Sequence, residues 1–440
     1  MKKFYISILS GALLLGSAVS ASAQCFGGRY HNYVFSTHTL TSNVQYGSNT
    51  RANNTNMNLM MDIYQPAGDM ATDRALVIVA HGGSFVGGSK TGTDVVQICK
   101  DLARLGYVAV SIDYRLGMTR FPVGGPPDST DAGAAVMRAV HDGRAAVRYF
   151  KKNYATGGNT YKIDPNNIYF AGVSAGGFIA LHIAYMDQLS EFPSYVDTTG
   201  TGTIPQYGLH GGIEGLSGNP GYSSDVKAVI NLCGALGDTD WMQPGDEPLL
   251  SLHGNNDATV PYGSAVIYLL GSYPLLVVHG SETVANRADN IGLEHCFRTY
   301  YNQDHVPHVG TSAAALAQYD TTIVYMRNFL EHYTCGSPAV CNYNGPIQSI
   351  PLGVDQAVAE APEFTVFPNP AESSFTLDLS GFKGEDVQID LFDVLGKNVR
   401  SIRSSNDDRI TLSRESLESG MYMIRITTGG KQFSRKINLK

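Results

Sequence analysis

Ser174 lies in the run Gly172-Val173-Ser174-Ala175-Gly176-Gly177, after the apolar stretch 168–171 and before a second one, 178–186. A serine on so tight a strand-to-helix turn presents its hydroxyl at the edge of a sheet, and the helix that follows aims its first N–H groups at any negative charge forming beside it. Side chains at Gly172 or Gly176 would crowd such a turn. The chemistry implied is nucleophilic attack on a carbonyl carbon. That chemistry needs a base, a group to orient the base, and donors for the oxyanion.

Residues suited to each task are present. His81-Gly82-Gly83-Ser84-Phe85 ends the apolar run 75–80, and the main-chain N–H groups of Gly82, Gly83 and Ala175 are the expected oxyanion hole. His81 reads as structural, since it precedes the glycines that would face the substrate. Downstream, the order nucleophile, acid, base is met by Asp257 and then His305. Asp257 follows the run 248–252 in Leu252-His253-Gly254-Asn255-Asn256-Asp257, with Asp238, Asp240 and Asp246 as competitors. His305 lies closer to the end of the preceding strand than His308, the reserve, and His253 reads as structural. Phe85, Trp241 and Tyr262 are candidate substrate-binding residues, with Met118 beside them; each could equally be packing. A phosphate-loop reading of 83–91 fails because Ser89 separates Gly88 from Lys90. With no C-x-x-C pair and no His/Cys cluster at zinc spacing, neither metal nor cofactor is expected.

The elements that must position these residues alternate in type. Strand-like runs at 75–80, 107–112, 168–171, 226–232, 248–252 and 297–301 are interleaved with helical patterns at 94–105, 131–153 and 311–333. The alternation predicts an α/β fold, a mostly parallel sheet with helices on both faces, spanning 24–341. Residues 187–225 hold eight glycines and read as an excursion, either a lid or a passive loop. Residues 342–363, with Pro346, Pro351 and Pro362, read as a linker. From 364 to 440 short alternating runs predict a small all-β, immunoglobulin-like sandwich.

The chain of 440 residues is too long for one ordinary domain and, at 43% apolar, too apolar for disorder. Residues 24–363 carry 18 basic and 29 acidic side chains, which argues against nucleic acid and other polyanions as partners. Residues 1–23 have a basic start, an apolar stretch and Ala21-Ser22-Ala23, the pattern of a cleaved signal peptide. Gln24 before Cys25 is bulky for lipid attachment, and no integral membrane segment is expected in the mature chain. Export favours disulfides. Cys335 and Cys341 are near enough in sequence to propose as a pair, whereas Cys99 and Cys233 sit in apolar surroundings that suit buried thiols.

HGGSF at 81–85, SIDYRL at 111–116, IDPNNI at 163–168 and GVSAGG at 172–177, in that order, resemble the α/β-hydrolase serine esterases. The set is most similar to the carboxylesterase and hormone-sensitive-lipase side of the fold and to secreted bacterial feruloyl and acetyl-xylan esterases. The resemblance covers about 57–334 and implies an ester-hydrolysing triad of Ser174, Asp257 and His305. Ser84 stands where relatives often have a third glycine, and Val173 where they often have an acidic residue. Residues 364–440 resemble the sorting domain of the type IX secretion system, through FPNP at 367–370, LFDVLGK at 391–397 and LESGMY at 417–422. That resemblance implies export through the periplasm and outer membrane, with the secretion machinery as partner and a secreted or cell-surface product. The expected function is hydrolysis of carboxylic esters through an acyl-enzyme, on acetyl or hydroxycinnamoyl esters of carbohydrates. A peptidase of the same fold, a lipase and a non-catalytic surface-binding protein are the alternatives.

Overall fold

Seven residues of one apolar run, Arg74–Ala80 (β3), are all buried, and their side chains divide by parity between two cores. Leu76, Ile78 and Ala80 enter one; Ala75, Val77 and Val79 enter the other. A strand covered on both faces must lie inside a sheet sandwiched by helices. The computed structural model, which describes residues 23–118, 121, 125–198, 207–350, 364–382, 384–394, 396–405, 407–428 and 431–440, has that arrangement.

The strands before β3 are His38–Thr50 (β1) and Asn56–Pro66 (β2); those after it are Val108–Ile112 (β4), Ile163–Val173 (β5) and Ala228–Leu232 (β6). Ala235–Leu236 (β7), Leu249–Gly254 (β8), Ser264–Leu269 (β9), Tyr273–Gly280 (β10) and His295–Tyr300 (β11) follow. The main sheet runs β1-β2-β4-β3-β5-β6-β8-β11, antiparallel over β1, β2 and β4 and parallel from β4 onward. Helices Thr93–Leu105 (α1) and Ala313–Cys335 (α5) supply Ile98, Leu102, Met326 and Leu330 to one face. Ser129–Thr156 (α2), Ala175–Tyr185 (α3) and Ser281–Ile291 (α4) supply Ala139, Phe150, Ile179 and Val284 to the other. The parallel strands send all their carboxyl ends to one edge, where the candidate residues gather.

The glycine-rich excursion is a strapped loop over its described residues. Arg115 donates to the carbonyls of Thr50 and Gly208 at 2.8 and 2.7 Å while its Nε meets Asp142 at 2.9 Å. From α2, Arg138 reaches Tyr207 O at 2.8 Å, His141 reaches Gly212 O at 2.8 Å, and Arg148 reaches Gly218 O at 3.0 Å. Such multidentate guanidinium bonds to main chain hold a loop that has few apolar contacts of its own. Residues 199–206 of it lie outside the described residues, as do signal residues 1–22 and linker residues 351–363.

Two expectations are corrected. Cys335 pairs with Cys25 and Cys341 with Cys296, at Cα separations of 5.8 and 5.4 Å. Cys335 ends α5, where Gly336 turns the chain away in a left-handed conformation, so nearness in sequence does not bring Cys335 to Cys341. Residues 342–350, expected as linker, are bound to the catalytic unit: Asn328 donates to Asn342 O at 2.9 Å, and Tyr33 and Gln348 pair through main chain at 2.8 Å. Cys99 and Cys233 are buried free thiols, as expected.

The C-terminal unit is all β. Thr365–Phe367 (β12), Ser374–Asp378 (β13) and Arg409–Ser413 (β16) form one antiparallel sheet. Asp386–Phe392 (β14), Asn398–Ser405 (β15), Gly420–Thr428 (β17) and Lys431–Leu439 (β18) form the second, also antiparallel. Phe375, Leu377, Ile389, Ile424 and Ile437 fill the core of this unit.

Burial pushes the imidazoles of His141 and His182 down to about 3 and about 4. Unfolded, each would titrate near ~6.5, so the unfolded chain binds protons that the folded chain refuses. Their contribution is therefore intact above ~6.5 and is lost as pH falls toward 4. Urea unfolding of the catalytic unit at pH 7, 6 and 5 is expected to show a falling midpoint, with a shallower fall in His141→Gln.

Candidate active site

β5 delivers Ser174 directly into α3, with no connecting loop, at φ 53° and ψ −114°. The turn closes because backbone lies on backbone: a Cβ on Gly172 would sit 1.9 Å from Gly176 O, and one on Gly176 would sit 2.0 Å from Ala80 O. The Ser174 N–H is tied to Leu232 O of β6 at 2.7 Å. This leaves the side chain, 7% exposed, at the carboxyl edge of the sheet.

β8 and β11 are parallel neighbours, so the loops at their carboxyl ends lie side by side. Cross-bonds fix them to each other: Asn256 N–H donates to Gln303 O at 3.0 Å, and Asp304 Oδ1 accepts from Ala258 N and His305 N at 2.9 and 2.7 Å. His305 Nε2 consequently meets the Ser174 hydroxyl at 2.8 Å and its Nδ1 meets Asp257 Oδ2 at 2.6 Å. Asp257 Oδ1 accepts the N–H groups of Thr259 and Val260, both at 2.8 Å. Burial by itself would raise the Asp257 pKa, but hydrogen bonds from His253 and His305, with the His305 charge, hold it well below the usual carboxylate range. His308 lies apart from this chain of bonds, buried and pushed down to about 4 by desolvation and by His305. Asp238, Asp240 and Asp246 take no part in it; Asp238 caps a short turn at 239–241.

The HGGSF loop sits against the nucleophile, since a Cβ on Gly82 would be 3.2 Å from Ser174 Cβ. Gly82 is nevertheless removed from the oxyanion set. Its N–H donates to Asp94 Oδ2 at 2.7 Å and is not free to meet a substrate. Three successive left-handed residues, Gly83, Ser84 and Phe85 at φ 120°, 53° and 60°, then turn the main chain. Among the described residues the N–H groups of Gly83, Ser84 and Ala175 have no protein partner. His81 braces the loop as expected, bonding Gly82 O through Nδ1 at 2.6 Å and stacking on Tyr114.

A cavity of about 50 Å³ opens beside Ser174. Phe85, Met118, Ala132, Val136 and Phe178 line one wall; Ile267, Leu269, Leu275 and Leu276 of β9 and β10 line another. Of the three candidate substrate-binding residues, Phe85 lines this cavity, and Trp241 and Tyr262 do not. Trp241 packs edge-on against His182, with ring centroids 5.4 Å apart, and Tyr262 packs on His253 and Phe297 with its hydroxyl bonded to Thr299 at 2.6 Å. Both pack against residues behind the cavity lining.

Sequence reasoning missed the part played by His253. Fully buried, it bonds Asp257 Oδ2 through Nε2 at 3.1 Å, while its Nδ1 meets Ser281 Oγ at 2.8 Å. Ser281 Oγ in turn accepts from Asn231 Nδ2 at 3.0 Å. This assigns Nε2–H as donor and gives the carboxylate a second histidine. The i,i+4 spacing of His253 and Asp257 across Gly254 was the available signal. Cys233, Asp257 and His305 also bring one potential metal-ligand atom each within 4.8 Å of one another. Burial and the Asp257 charge push the Cys233 thiol up to about 12, so it stays protonated and is a poor ligand.

A mixed sheet flanked by helices, with a serine elbow at its carboxyl edge, defines an α/β-hydrolase. Residues 61–236 match the BD-FAE family model. Residues 365–440 match the secretion system C-terminal sorting domain, the tail that directs export by the type IX system to the cell surface or outside. No helix among the described residues is long and apolar enough to cross a membrane. A curated relative, the endo-acting ulvan lyase of Formosa agariphila, is 29% identical over 90 residues, covering 20% of this chain and 17% of that protein. Among solved structures, Thermogutta terrifontis esterase 2 phosphorylated by paraoxon aligns at 19% identity over 67% of this chain and 93% of that one, with a TM-score of 0.44. The propionate-bound form of the Thermogutta terrifontis esterase Est2 aligns at 18% identity over the same shares, with a TM-score of 0.45.

Replacing His253 by Phe keeps its bulk and removes its bond to Asp257. A kcat about 10²-fold lower with KM little changed is the expected steady-state result on any ester turned over.

Proposed function

We propose that the chain is a serine esterase that hydrolyses acyl esters of carbohydrates, acetyl or hydroxycinnamoyl, through an acyl-enzyme on Ser174. The observation that carries this reading is the continuous hydrogen-bonded chain from Ser174 Oγ through His305 to Asp257, at 2.8 and 2.6 Å, beside an apolar cavity. His305 Nε2 takes the Ser174 proton as the hydroxyl attacks the ester carbonyl, and Asp257 fixes the tautomer that leaves Nε2 free to accept. The tetrahedral oxyanion is met by the N–H groups of Gly83, Ser84 and Ala175, each such donor contributing on the order of 10²–10³ in rate. His305 then protonates the departing alcohol oxygen. Water, activated by the same imidazole, attacks the acyl-enzyme and releases the acid and Ser174. The carbohydrate alcohol is supported by the resemblance to feruloyl and acetyl-xylan esterases together with export. The described residues of the excursion take no part in the cavity lining.

The test uses the exported chain and Ser174→Ala, assayed on acetyl, butyryl, octanoyl and feruloyl esters, acetylated xylan and a peptide amide. Ester turnover with an acyl adduct on Ser174 by mass spectrometry, lost at least ~10³-fold in the variant, is the expected outcome. A folded wild type that turns over the amide but no ester would transfer the assignment to a peptidase. One that turns over nothing would leave a binding protein.

A further inference from the structure

We infer that the β9–β10 hairpin is the acyl-length selector of this site, restricting it to acyl groups of about two to four carbons and so choosing the acetyl over the hydroxycinnamoyl branch of the esterase reading above, on which the inference rests. The side of the substrate that enters the cavity follows from the chemistry. His305 must protonate the leaving oxygen, so the alcohol lies on the His305 side of the carbonyl. The cavity is lined by Ser84, Ser174 and Ala175, which carry or adjoin the proposed oxyanion donors, and by Thr259 and Val260 of the Asp257 loop, whereas His305 itself is absent from its lining. It therefore receives the acyl group, while the alcohol is left toward the partly exposed His305 edge, where a polymer can be accommodated.

What bounds the cavity opposite Phe85 is the hairpin. β9 and β10 pair in antiparallel register, Tyr273 with Leu269, Pro274 with Tyr268 and Val277 with Val266, and the register shifts between Pro274 and Val277. Two residues of β10, Leu275 and Leu276, stand there opposite the single Ile267 of β9. In a regular strand consecutive side chains point to opposite faces. A bulge suspends that rule and re-aims a side chain. Both leucines accordingly line the cavity together with Ile267. The base of the hairpin is held by main-chain pairing of His279 and Gly280 with Leu236 and Ala235 of β7. Its amino end continues directly from the Asp257 loop through Val260, itself part of the lining.

Size then decides the ligand. A water needs roughly 10–15 Å³ of such space, so a cavity of about 50 Å³ takes only a few heavy atoms. An acetyl, propionyl or butyryl group fits. A hydroxycinnamoyl group, about three times larger, does not fit unless Leu275 and Leu276 give way.

Acyl preference is measured as kcat/KM on p-nitrophenyl acetate, butyrate and octanoate and on methyl ferulate, for the wild type, the double variant Leu275→Ala/Leu276→Ala, and Leu276→Trp. The wild type is expected to favour acetate or butyrate over octanoate and ferulate by at least 10²-fold. The double variant raises the octanoate-to-acetate ratio at least tenfold. Leu276→Trp, which fills rather than empties the space, lowers butyrate relative to acetate and keeps the test open if the double variant does not fold. Efficient wild-type turnover of octanoate or ferulate, or variants with the wild-type profile, would overturn the selector while leaving the esterase standing. Absence of all ester turnover would instead remove the reading beneath it.

Discussion

The site depends on one close approach of backbone to backbone. Gly172, Gly176 and Ala80 pack main chain against main chain at distances no Cβ would permit. Because that contact joins the ends of β3 and β5 to the start of α3, it sets Ser174 and the HGGSF loop in one rigid piece. His305 and Asp257 arrive from another piece, the loops after β11 and β8. Their mutual position is fixed by Asp304, whose carboxylate spans both loops before either reaches Ser174. Two stiff halves thus meet at a single hydroxyl.

Asp257, at the far end of the hydrogen-bonded chain from Ser174, is held by more donors than His305 alone. Asp257 accepts two main-chain N–H groups on one oxygen and two histidines on the other. In a buried setting an ionised carboxylate with fewer donors would drift toward protonation. Its low proton affinity is therefore a consequence of bonding, and His253, Ser281 and Asn231 extend that bonding deep beneath the sheet edge.

How much of this was legible in the chain follows from what each element asks of its residues. β3, β5 and α1 announced themselves because both their faces, or one continuous stripe, are buried, and burial writes a pattern. The elbow was legible because only glycine tolerates its contacts. That the Gly82 N–H is occupied was not legible, because a main-chain N–H carries no side-chain signature and its partner sits twelve residues away at Asp94. The hairpin at 264–280 left no strand pattern, since Ile267 and Leu276 face the cavity while Val266 and Val277 stay 39% and 53% exposed. Apolar residues on both faces erase alternation. The cysteine pairing failed for a related reason: proximity along the chain says nothing about where a helix cap sends it.

The two disulfides give the catalytic unit an unusual mechanical character. Cys25 is joined to Cys335 and Cys341 to Cys296, so the first described turn, the last helix, β11 and the segment leading to the sorting tail form one covalent net. Tension entering beyond residue 341 is carried into β11 and back to the amino terminus through sulfur, instead of peeling α5 from the sheet. Load applied at that end is shared between β11 and the amino-terminal turn.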